Sequence, residues 1–569
     1  MRRARSILAL LLALCAVVVT GCAGFPTSGP PEYGLENGNT GNGSQNVAFI
    51  PNRPQPGATP QQIVEGFIDA GSGPGVAGRW DVAREFLAPE FRAVWKPETG
   101  VTVDERAERD YVEVDEGVVD FAFDVVATVD DKGAYQKAEL APGQQSFTLE
   151  MQADGEWRIT AAPDGIWLDD AQFPTVFHRY PLMYFDPSGR FLVPDVRWFA
   201  VATARVSITT ALVNLPVSEW LADSVESAFP DGVTAVPSVP MDEDGVAEVA
   251  LSEGMLAASS DAHDRMLTQL EESLRTAGVS EVVMTVDSTP LDAEPVAVRS
   301  TRVPPTPLVL TEDGFGFLTG DEIDKIPGLS PAVEAASPVS VQVGAERDSA
   351  AARLASGEVV RLSAADAATE PLDLREGLVD PTIDDFGIVW SVPRGEPTAL
   401  QAFLPNGDVV AVADAWSEAT AIAGMALSRD GTRIAAVYSA GGRTVVSVAG
   451  VVRDPDTDAP VRLGTPFQLA VVPGAVVGVT RIGVTWIDDL SIGVLTSGDA
   501  DSNVIEQVVG GLTSTSTAAA GMASIAGGSG VSSLRLRAAD GTLYVKRGTG
   551  WQPTATGIGV LATQQGAPQ

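Results

Sequence analysis

The spacing of apolar residues predicts two regions of mixed helix and strand, followed by a region of strands alone. A first helix is predicted to begin at Pro60 and to bury one face, made by Ile63, Val64, Phe67 and Ile68. A second helical pattern covers residues 79–95, and strand patterns follow at 111–130, 146–152 and 156–168. Helices followed by a meandering antiparallel sheet indicate an α+β domain over residues 59–177.

A second α+β unit is predicted over residues 178–292. Residues 191–201 form a strand pattern, and residues 209–229 predict a pair of helices around Pro216, with Trp220 and Leu221 pointing inward. A long helix follows over residues 261–278, and its apolar face carries Met266, Leu267, Leu270 and Leu274. The buried strand Val282–Val286 closes this unit.

Residues 303–562 consist of short apolar strands separated by turns. Units of strand, acidic turn and strand recur, and the acids of these turns are Asp313, Asp348, Asp385, Asp430 and Asp488. The dipeptides Asn406-Gly407 and Asp540-Gly541 indicate second hairpins within the units. The spacing predicts an all-β propeller of about six blades, with a β-sandwich as the alternative. The predicted fold class is therefore multidomain, with two α+β domains ahead of a propeller that begins at the Pro-rich stretch Arg302–Leu308.

The start of the chain has the layout of a bacterial lipoprotein signal. Arginines precede the apolar run Ile7–Val19, which is too short to span a bilayer comfortably and is followed by Thr20, Gly21 and Cys22. We expect residues 1–21 to be a signal peptide, cleaved between Gly21 and Cys22. Cys22 would then carry S-diacylglycerol and N-acyl groups; the alternative is an ordinary signal with a chance cysteine. Residues 22–58, rich in Gly, Pro, Asn and Ser, predict a flexible tether.

Composition narrows the classes of function. Lys plus Arg number 37 against 75 Asp plus Glu, a net charge of −38 that argues against nucleic-acid binding. With two cysteines and two histidines in 569 residues, a disulfide scaffold, a cysteine-based zinc site and the usual catalytic triads are disfavoured. We therefore predict no enzyme activity, no metal site and no cofactor.

Several motifs suggest chemistry, and each has a simpler structural interpretation. Two groups resemble the opening of a calcium loop but lack its later Gly and Glu: Asp454, Asp456 and Asp458, and then Asp499, Asp501 and Asn503. A G-x-G-x-x-G motif at Gly73, Gly75 and Gly78 follows a helix instead of a strand. His178 and His263 have no His, Cys or clustered acids beside them in sequence. We expect structural roles for all of them.

Three parts of the chain resemble known modules. The first α+β domain is similar to the cone-shaped nuclear-transport-factor-2-like (NTF2-like) fold. The motifs LVPDVRW, AFPDGV, DGVAEVALS and DRMLTQLEESLR resemble the GerMN domain of sporulation, germination and envelope proteins. LSRDGTRIAAV looks like the repeat of TolB-type propellers.

The chain resembles the actinobacterial lipoprotein family LpqB over nearly its whole length. The resemblance lies in the order of its parts: the lipobox Val19-Thr20-Gly21-Cys22, the tether with CAGFPTSGPPE, the cone, the GerMN module and the propeller. This resemblance implies a lipid anchor on the extracytoplasmic face of the cell membrane. It also implies association with the MtrA–MtrB two-component system, through the extracytoplasmic part of the sensor kinase.

Three functions remain open at this stage. The favoured one is a non-enzymatic accessory or regulatory lipoprotein whose domains bind proteins. The second is a lipoprotein that binds wall glycan or a small ligand through the cone or the GerMN module. The third is a wall-active hydrolase that uses two of the 75 acids as a pair.

Overall fold

The computed structural model describes residues 51–75, 78–472, 479–498 and 501–568. The predicted signal peptide, Gly21, Cys22 and residues 23–50 lie outside the described residues. Within the described ranges, no helix is both long and apolar enough to cross a membrane.

The first domain packs short helices against a six-stranded sheet. Its helices are α1 (Pro60–Asp69), α2 (Asp81–Glu85), α3 (Pro89–Arg92) and α4 (Phe173–Val176). Its strands are β1 (Gly100–Asp104), β2 (Asp110–Asp115), β3 (Val118–Asp130), β4 (Tyr135–Met151), β5 (Trp157–Ala161) and β6 (Ile166–Asp169). The strand order is β5-β4-β3-β1-β6 with β2 also on β3, and all pairs are antiparallel except β1 with β6. The closer resemblance to the NTF2-like fold stays a prediction.

The structure confirms one of the two helices predicted for this domain and contradicts the other. The first is confirmed: Thr59 and Gln62 form a capping box ahead of Pro60, and the four predicted apolar residues are buried. The second is wrong as a single helix. Proline lacks an N–H and disfavours helical backbone in the residue before it, so Ala88 is extended before Pro89. The Ala88 N–H donates to Ile159 O in the sheet instead, at 2.8 Å.

The second domain consists of a hairpin, two helices and a small sheet. Its elements are β7 (Phe177–Phe185), β8 (Leu192–Ala200), α5 (Ala204–Asn214), β9 (Val246–Ala250), α6 (Ser260–Leu274), β10 (Glu281–Val286) and β11 (Thr289–Pro290). The predicted helix after Pro216 is absent from the described structure, because α5 ends at Asn214 and Leu215 is extended before the proline. Leu221 is buried in the core as predicted, whereas Trp220 stacks on Phe467 of the third domain.

The third domain is a propeller of six blades. Its strands are β12 (Leu308–Thr311), β13 (Gly314–Thr319), β14 (Glu322–Lys325), β15 (Ser340–Val343), β16 (Ser349–Arg353), β17 (Val359–Ser363), β18 (Thr369–Asp373), β19 (Thr382–Ile383), β20 (Val389–Ser391), β21 (Gln401–Phe403), β22 (Val409–Ala411), β23 (Ala421–Leu427), β24 (Arg433–Ala440), β25 (Arg443–Arg453), β26 (Pro460–Leu463), β27 (Phe467–Val472), β28 (Val479–Trp486), β29 (Ser491–Gly498), β30 (Ser502–Val508), β31 (Thr513–Ala518), β32 (Met522–Ala526), β33 (Arg535–Ala538), β34 (Leu543–Arg547), β35 (Gly550–Ala555) and β36 (Val560–Gln564). One helix, α7 (Leu329–Ala336), lies between β14 and β15.

The last strand of the chain closes the propeller. From the centre outward, the first blade is β36-β12-β13-β14, and blades two to six begin with the inner strands β15, β19, β23, β28 and β32. Each of the six inner strands contacts the next one around the ring. β36 pairs antiparallel with β12 inside its own blade and parallel with β15 of the next blade. Both closing partners therefore belong to the C-terminal half of the chain.

Because of this closure, one of the five aspartates of the repeated turns lies on a different face of the propeller from the other four. Asp348, Asp385, Asp430 and Asp488 follow the inner strands of their blades, whereas Asp313 follows β12, the second strand of blade one. Because β36 and β15 are parallel, the inner strands share one direction and their following turns lie on one face. Asp313 lies on the opposite face. The repeat in the sequence does not reveal this difference, because the inner strand of blade one is β36, which comes from the end of the chain.

One face of the propeller carries the turns that follow the inner strands, and it is here called the covered face. The second domain and the linker, residues 291–307 between β11 and β12, lie on this face. Arg190 of the second domain and Arg299 of the linker each contact the buried carboxylate of Asp385 at 3.1 Å. Thr301 Oγ1 donates to Asp489 at 2.7 Å, and the Val303 N–H donates to Ser529 Oγ at 2.7 Å. The linker therefore contacts the turns of blades three, five and six. The opposite face is here called the free face.

Trp198 joins all three domains. Its ring lies in the core of the first domain, 4.9 Å from the ring of Phe173 and 5.7 Å from that of Tyr135 between centroids. Its indole N–H donates to Gly510 O of blade five at 2.9 Å, while its backbone belongs to β8. Gly511 lies against the same ring, so a side chain at that position would press on the indole.

Removal of β36 tests the closure. A chain that ends at Ile558 should lose cooperative unfolding of the propeller, because Val560 and Leu561 alone contribute about 3–6 kcal/mol of burial. Circular dichroism melting measures the change. A chain that ends at Gln565 keeps the strand and serves as the control. An unchanged propeller transition without β36 would contradict the closure.

Asp385 tests the covered face. Asp385→Asn should lower the free energy of unfolding by about 1–3 kcal/mol and uncouple the transitions of the propeller and the second domain, because two arginines lose their carboxylate. Denaturant titration measures both effects. Asp223→Asn removes the exposed Arg462 pair of the same interface and should cost less than about 1 kcal/mol. Equal effects of the two variants would contradict the interpretation.

Candidate functional site

The propeller encloses a channel along its axis. A cavity of about 780 Å³ is lined by residues from all six inner strands. This volume falls within the range of small-molecule sites, which is about 300–1,000 Å³. Its walls are mixed, with apolar side chains such as Val341 and Val484 beside hydroxyl and amide groups such as Thr382 and Gln342. The channel is the strongest candidate site in the part of the chain that the structure describes.

Buried side chains close the channel at the covered face. Gln565, directly after β36, donates its side-chain amide across the axis to Ser428 O of blade four, and it is 1% exposed. Trp486 and Arg429 line the same end, and both are buried. The channel is therefore a well whose mouth opens at the free face.

The closed end carries a buried cation without a carboxylate partner. Arg429 is 7% exposed, its Nη2 lies 3.4 Å from Trp486 O, and its Nε has no hydrogen-bond partner in the described structure. Burial alone would raise the pKa of Asp430, but Arg433 and neighbouring hydroxyls hold it below the ordinary value. The Asp430 charge is thus paired with Arg433 instead of Arg429. Burial lowers the pKa of Arg429, and the charges of Asp489, Asp488 and Asp430 offset only part of this effect.

A second buried polar atom without a hydrogen-bond partner is found at the closed end of the channel. Gln564 also lines the channel, is 7% exposed, and its Oε1 accepts no hydrogen bond within the described residues. A buried amide oxygen without a donor costs free energy unless water or a ligand supplies one. The closed end therefore offers an acceptor and a cation to whatever occupies it.

The mouth is basic. Arg353, Arg394 and Arg537 lie at the ends of the second strands of blades two, three and six or just after them, and all three line the channel. Arg353 pairs with Asp380 at 2.7 Å, and Arg537 Nε donates to Ile558 O at 2.6 Å. Arg394 is exposed, and its side chain makes no hydrogen bond within the described ranges. With Arg429, the lining holds four arginines and one aspartate in a chain of net charge −38.

The sequence motifs have structural roles where the structure describes them. Asp454 Oδ1 accepts from the backbone of Asp456 and from the Thr457 hydroxyl, so this carboxylate caps its own loop. In the second group, Asp499 lies outside the described residues, while Asn503 accepts from Thr517 on the neighbouring strand. No group of three or more metal-binding side chains comes together among the described residues.

The histidines also belong to no cluster of metal-binding side chains among the described residues, and the glycine motif is only partly described. His178 is exposed on β7, and His263 Nε2 lies 3.0 Å from Met255 O within its own domain. The glycine motif contains residues 76 and 77, which lie outside the described residues. It precedes only the five-residue helix α2.

One pair of acids comes together on neighbouring strands. Asp104 and Asp169 are partners in the parallel pairing of β1 with β6, and both are buried. Arg109 binds Asp104 at 2.8 Å, and Arg106 binds Asp169 at 3.1 Å. Both carboxylates are therefore engaged in ion pairs away from solvent, an arrangement that stabilises the edge of the sheet.

Sequence reasoning missed the channel arginines because they are far apart along the chain. Arg353, Arg394 and Arg537 belong to three different blades, and no short motif contains two of them. A signal was nevertheless present, since each lies near the end of the second strand of its repeat. An alignment of the repeats to one another would have placed these arginines at one mouth.

Three family models match successive parts of the chain. "Lipoprotein LpqB, N-terminal domain" matches residues 53–174, "Sporulation and spore germination" matches 181–292, and "Lipoprotein LpqB beta-propeller domain" matches 311–561. These matches cover the three domains of the structure in the same order.

Relatives match in the same way. "Lipoprotein LpqB" of Rhodococcus opacus (strain B4) is 26% identical over 501 residues, covering 76% of this chain and 77% of the relative. The Thermobifida fusca (strain YX) protein of that name is 34% identical over 247 residues, covering 40% of this chain and 38% of the relative.

Among solved structures, the tandem GerMN domains of the sporulation protein GerM from Bacillus subtilis match at 16% identity and a TM-score of 0.19, covering 35% of this chain and 63% of that one. The family assignment rests on the sequence matches alone. From three domain models in order and from relatives that match over most of their length, the chain belongs to the LpqB lipoprotein family.

Proposed function

We propose that this chain is a lipid-anchored, extracytoplasmic accessory lipoprotein that regulates an envelope two-component sensor kinase of the MtrA–MtrB type through protein contacts. The observation that carries the proposal is the unequal use of the two propeller faces. The second domain and the linker bury the covered face, whereas the free face is open. Propellers present a broad surface for partners, and among the described residues the free face is the one that the other two domains leave uncovered.

The free face has the composition of a protein contact surface. Val339 is 46% exposed and precedes β15, and Leu374 is 72% exposed and follows β18. Both lie in loops on the free face. Val339 lines the channel mouth, where its N–H donates to Arg353 O, and Leu374 precedes Arg375. Exposed apolar side chains beside arginines are typical of binding hot spots, because they lose contact with water when a partner docks.

The anchor completes the proposal. Acyl groups on Cys22 would hold the protein at the membrane, and the part of the predicted tether that precedes residue 51 would allow the folded domains to reach the extracytoplasmic part of a membrane-bound kinase. Residues 53 and 57 already contact the first domain, through Glu85 and Glu156. The family consists of lipoproteins, which supports membrane attachment. An accessory role fits domains that do not belong to a known enzyme family.

The second candidate function, binding of wall glycan or a small ligand through the first or second domain, has less support. The cavity described above belongs to the propeller, and the paired acids of the first domain are held by arginines. The same ion pairs argue against Asp104 and Asp169 as the acid pair of the third candidate, a wall-active hydrolase.

Cys22→Ala tests the anchor. The variant should lose incorporation of labelled fatty acid and no longer distribute with membranes as the native protein does, because the acyl chains are the main hydrophobic hold on the bilayer. Labelling and fractionation after a high-salt wash measure both effects. Cys15→Ala, which changes the other cysteine, should behave as the native chain. Retention of the label in Cys22→Ala would refute lipidation at this residue.

Val339→Asp and Leu374→Asp test the free face. Each should weaken binding of the full-length lipoprotein to the extracytoplasmic domain of the kinase by about tenfold, or ~1.4 kcal/mol, since each buries a charge in the contact. Biolayer interferometry with the purified domain measures affinity. Val409→Asp, at an exposed position on the outer strand β22, is the matched control. If all three variants bind like the native chain, the free face is not the contact.

A further inference from the structure

We propose that the propeller channel binds a small anionic molecule, one that carries a carboxylate or phosphate group and a hydroxyl or amide donor, and that this ligand enters through the mouth on the free face. The inference concerns the channel alone and does not depend on a kinase partner.

The distribution of charge is the first step. A chain with twice as many acids as bases would be expected to surround a cavity with carboxylates. The channel lining instead contains four arginines and a single aspartate, and that aspartate is paired with Arg353. A cavity with an excess of one sign of charge within low-dielectric walls concentrates the field and attracts counter-ions. The counter-ion that fits this lining is an anion.

The chemistry of the closed end is the second step. The Arg429 guanidinium is buried with no carboxylate within ion-pair distance in the described structure, and its Nε is unpaired. The charges of Asp489, Asp488 and Asp430 act on it without an ion pair. Guanidinium groups bind carboxylate and phosphate oxygens with paired hydrogen bonds, so an oxyanion beside Arg429 would satisfy it. The unpaired Gln564 Oε1 lines the same end and would accept from a hydroxyl or N–H of that molecule. Together these groups describe an oxyanion with a neighbouring donor.

The mouth supplies the third step. Arg394 is exposed and its side chain makes no hydrogen bond within the described ranges, so it is available to an incoming anion. Arg394 therefore acts mainly on the rate of entry, whereas Arg429 acts on the strength of binding. The two residues predict separable effects on the kinetics and the affinity.

The test uses the full-length lipoprotein in neutral detergent at low ionic strength. Calorimetry with citrate, inorganic phosphate and glucose 6-phosphate tests the anion, and glucose tests the sugar without its charge. We expect saturable binding of at least one anion with a dissociation constant below about 1 mM, and no binding of glucose. The citrate and phosphate arms distinguish a carboxylate ligand from a phosphate ligand.

Variants locate the site. Arg429→Gln should weaken binding at least tenfold, and Arg394→Glu should slow association several-fold and reduce its dependence on salt. Arg547→Gln, an exposed arginine on the outer part of blade six, should change neither. Because Arg429 is buried, melting curves check its fold, and the exposed Arg394→Glu keeps the test decisive if that variant does not fold.

Two results would overturn the proposal. One is the absence of binding by every anion up to about ten times that concentration, which would leave a channel filled by water alone. The other is binding that Arg394→Glu and Arg547→Gln affect equally, which would place the anion on the outer surface.

Discussion

The fold of the C-terminal half depends on one constraint: six inner strands must form a closed ring before any blade can bury both of its faces. The chain meets it by bringing β36 from its end to pair with β12 at the start of the domain. Blade one is thus built from both ends of the domain. The direction of β36, parallel to β15, also fixes which turns share a face. The position of the second domain, the channel and its mouth all follow from this closure.

The covered face converts three domains into one body. An indole, two arginines and the linker are among the groups that make the contacts, and each crosses a boundary between domains. Trp198 contributes its backbone to the second domain, its ring to the core of the first and its N–H to the propeller. Such a residue cannot change without altering all three domains. Among the described residues, the free face does not carry these contacts between domains, so its side chains are available for recognition.

Local signals in the sequence predicted local structure well. Thr59, Pro60 and Gln62 specify the start of α1, and the long amphipathic helix near Leu270 is present. Two predicted helices were wrong, because a proline interrupts each segment whose apolar spacing is typical of a helix. Pro89 divided one predicted helix, and Pro216 removed another. Trp220 packs against both its own core and the propeller, where it stacks on Phe467.

Features that depend on distant parts of the chain could not be predicted from spacing. The repeat acids identified blades, but the different position of Asp313 appears only when β36 is known to complete blade one. The channel combines residues from six repeats, so its charge is visible only after the ring has closed. Arg429 likewise forms no ion pair among the described residues, because the neighbouring Asp430 is paired with Arg433.

The side chain of Gln565 has a kinetic consequence. Because it reaches across the axis to blade four, the well has a single opening, and any occupant must leave by the route through which it arrived. A protein seated on the free face would obstruct that route without touching the occupant. Docking would then lengthen the residence time of the bound molecule, and an occupied well would in turn report, by slow exchange, that a partner is in place.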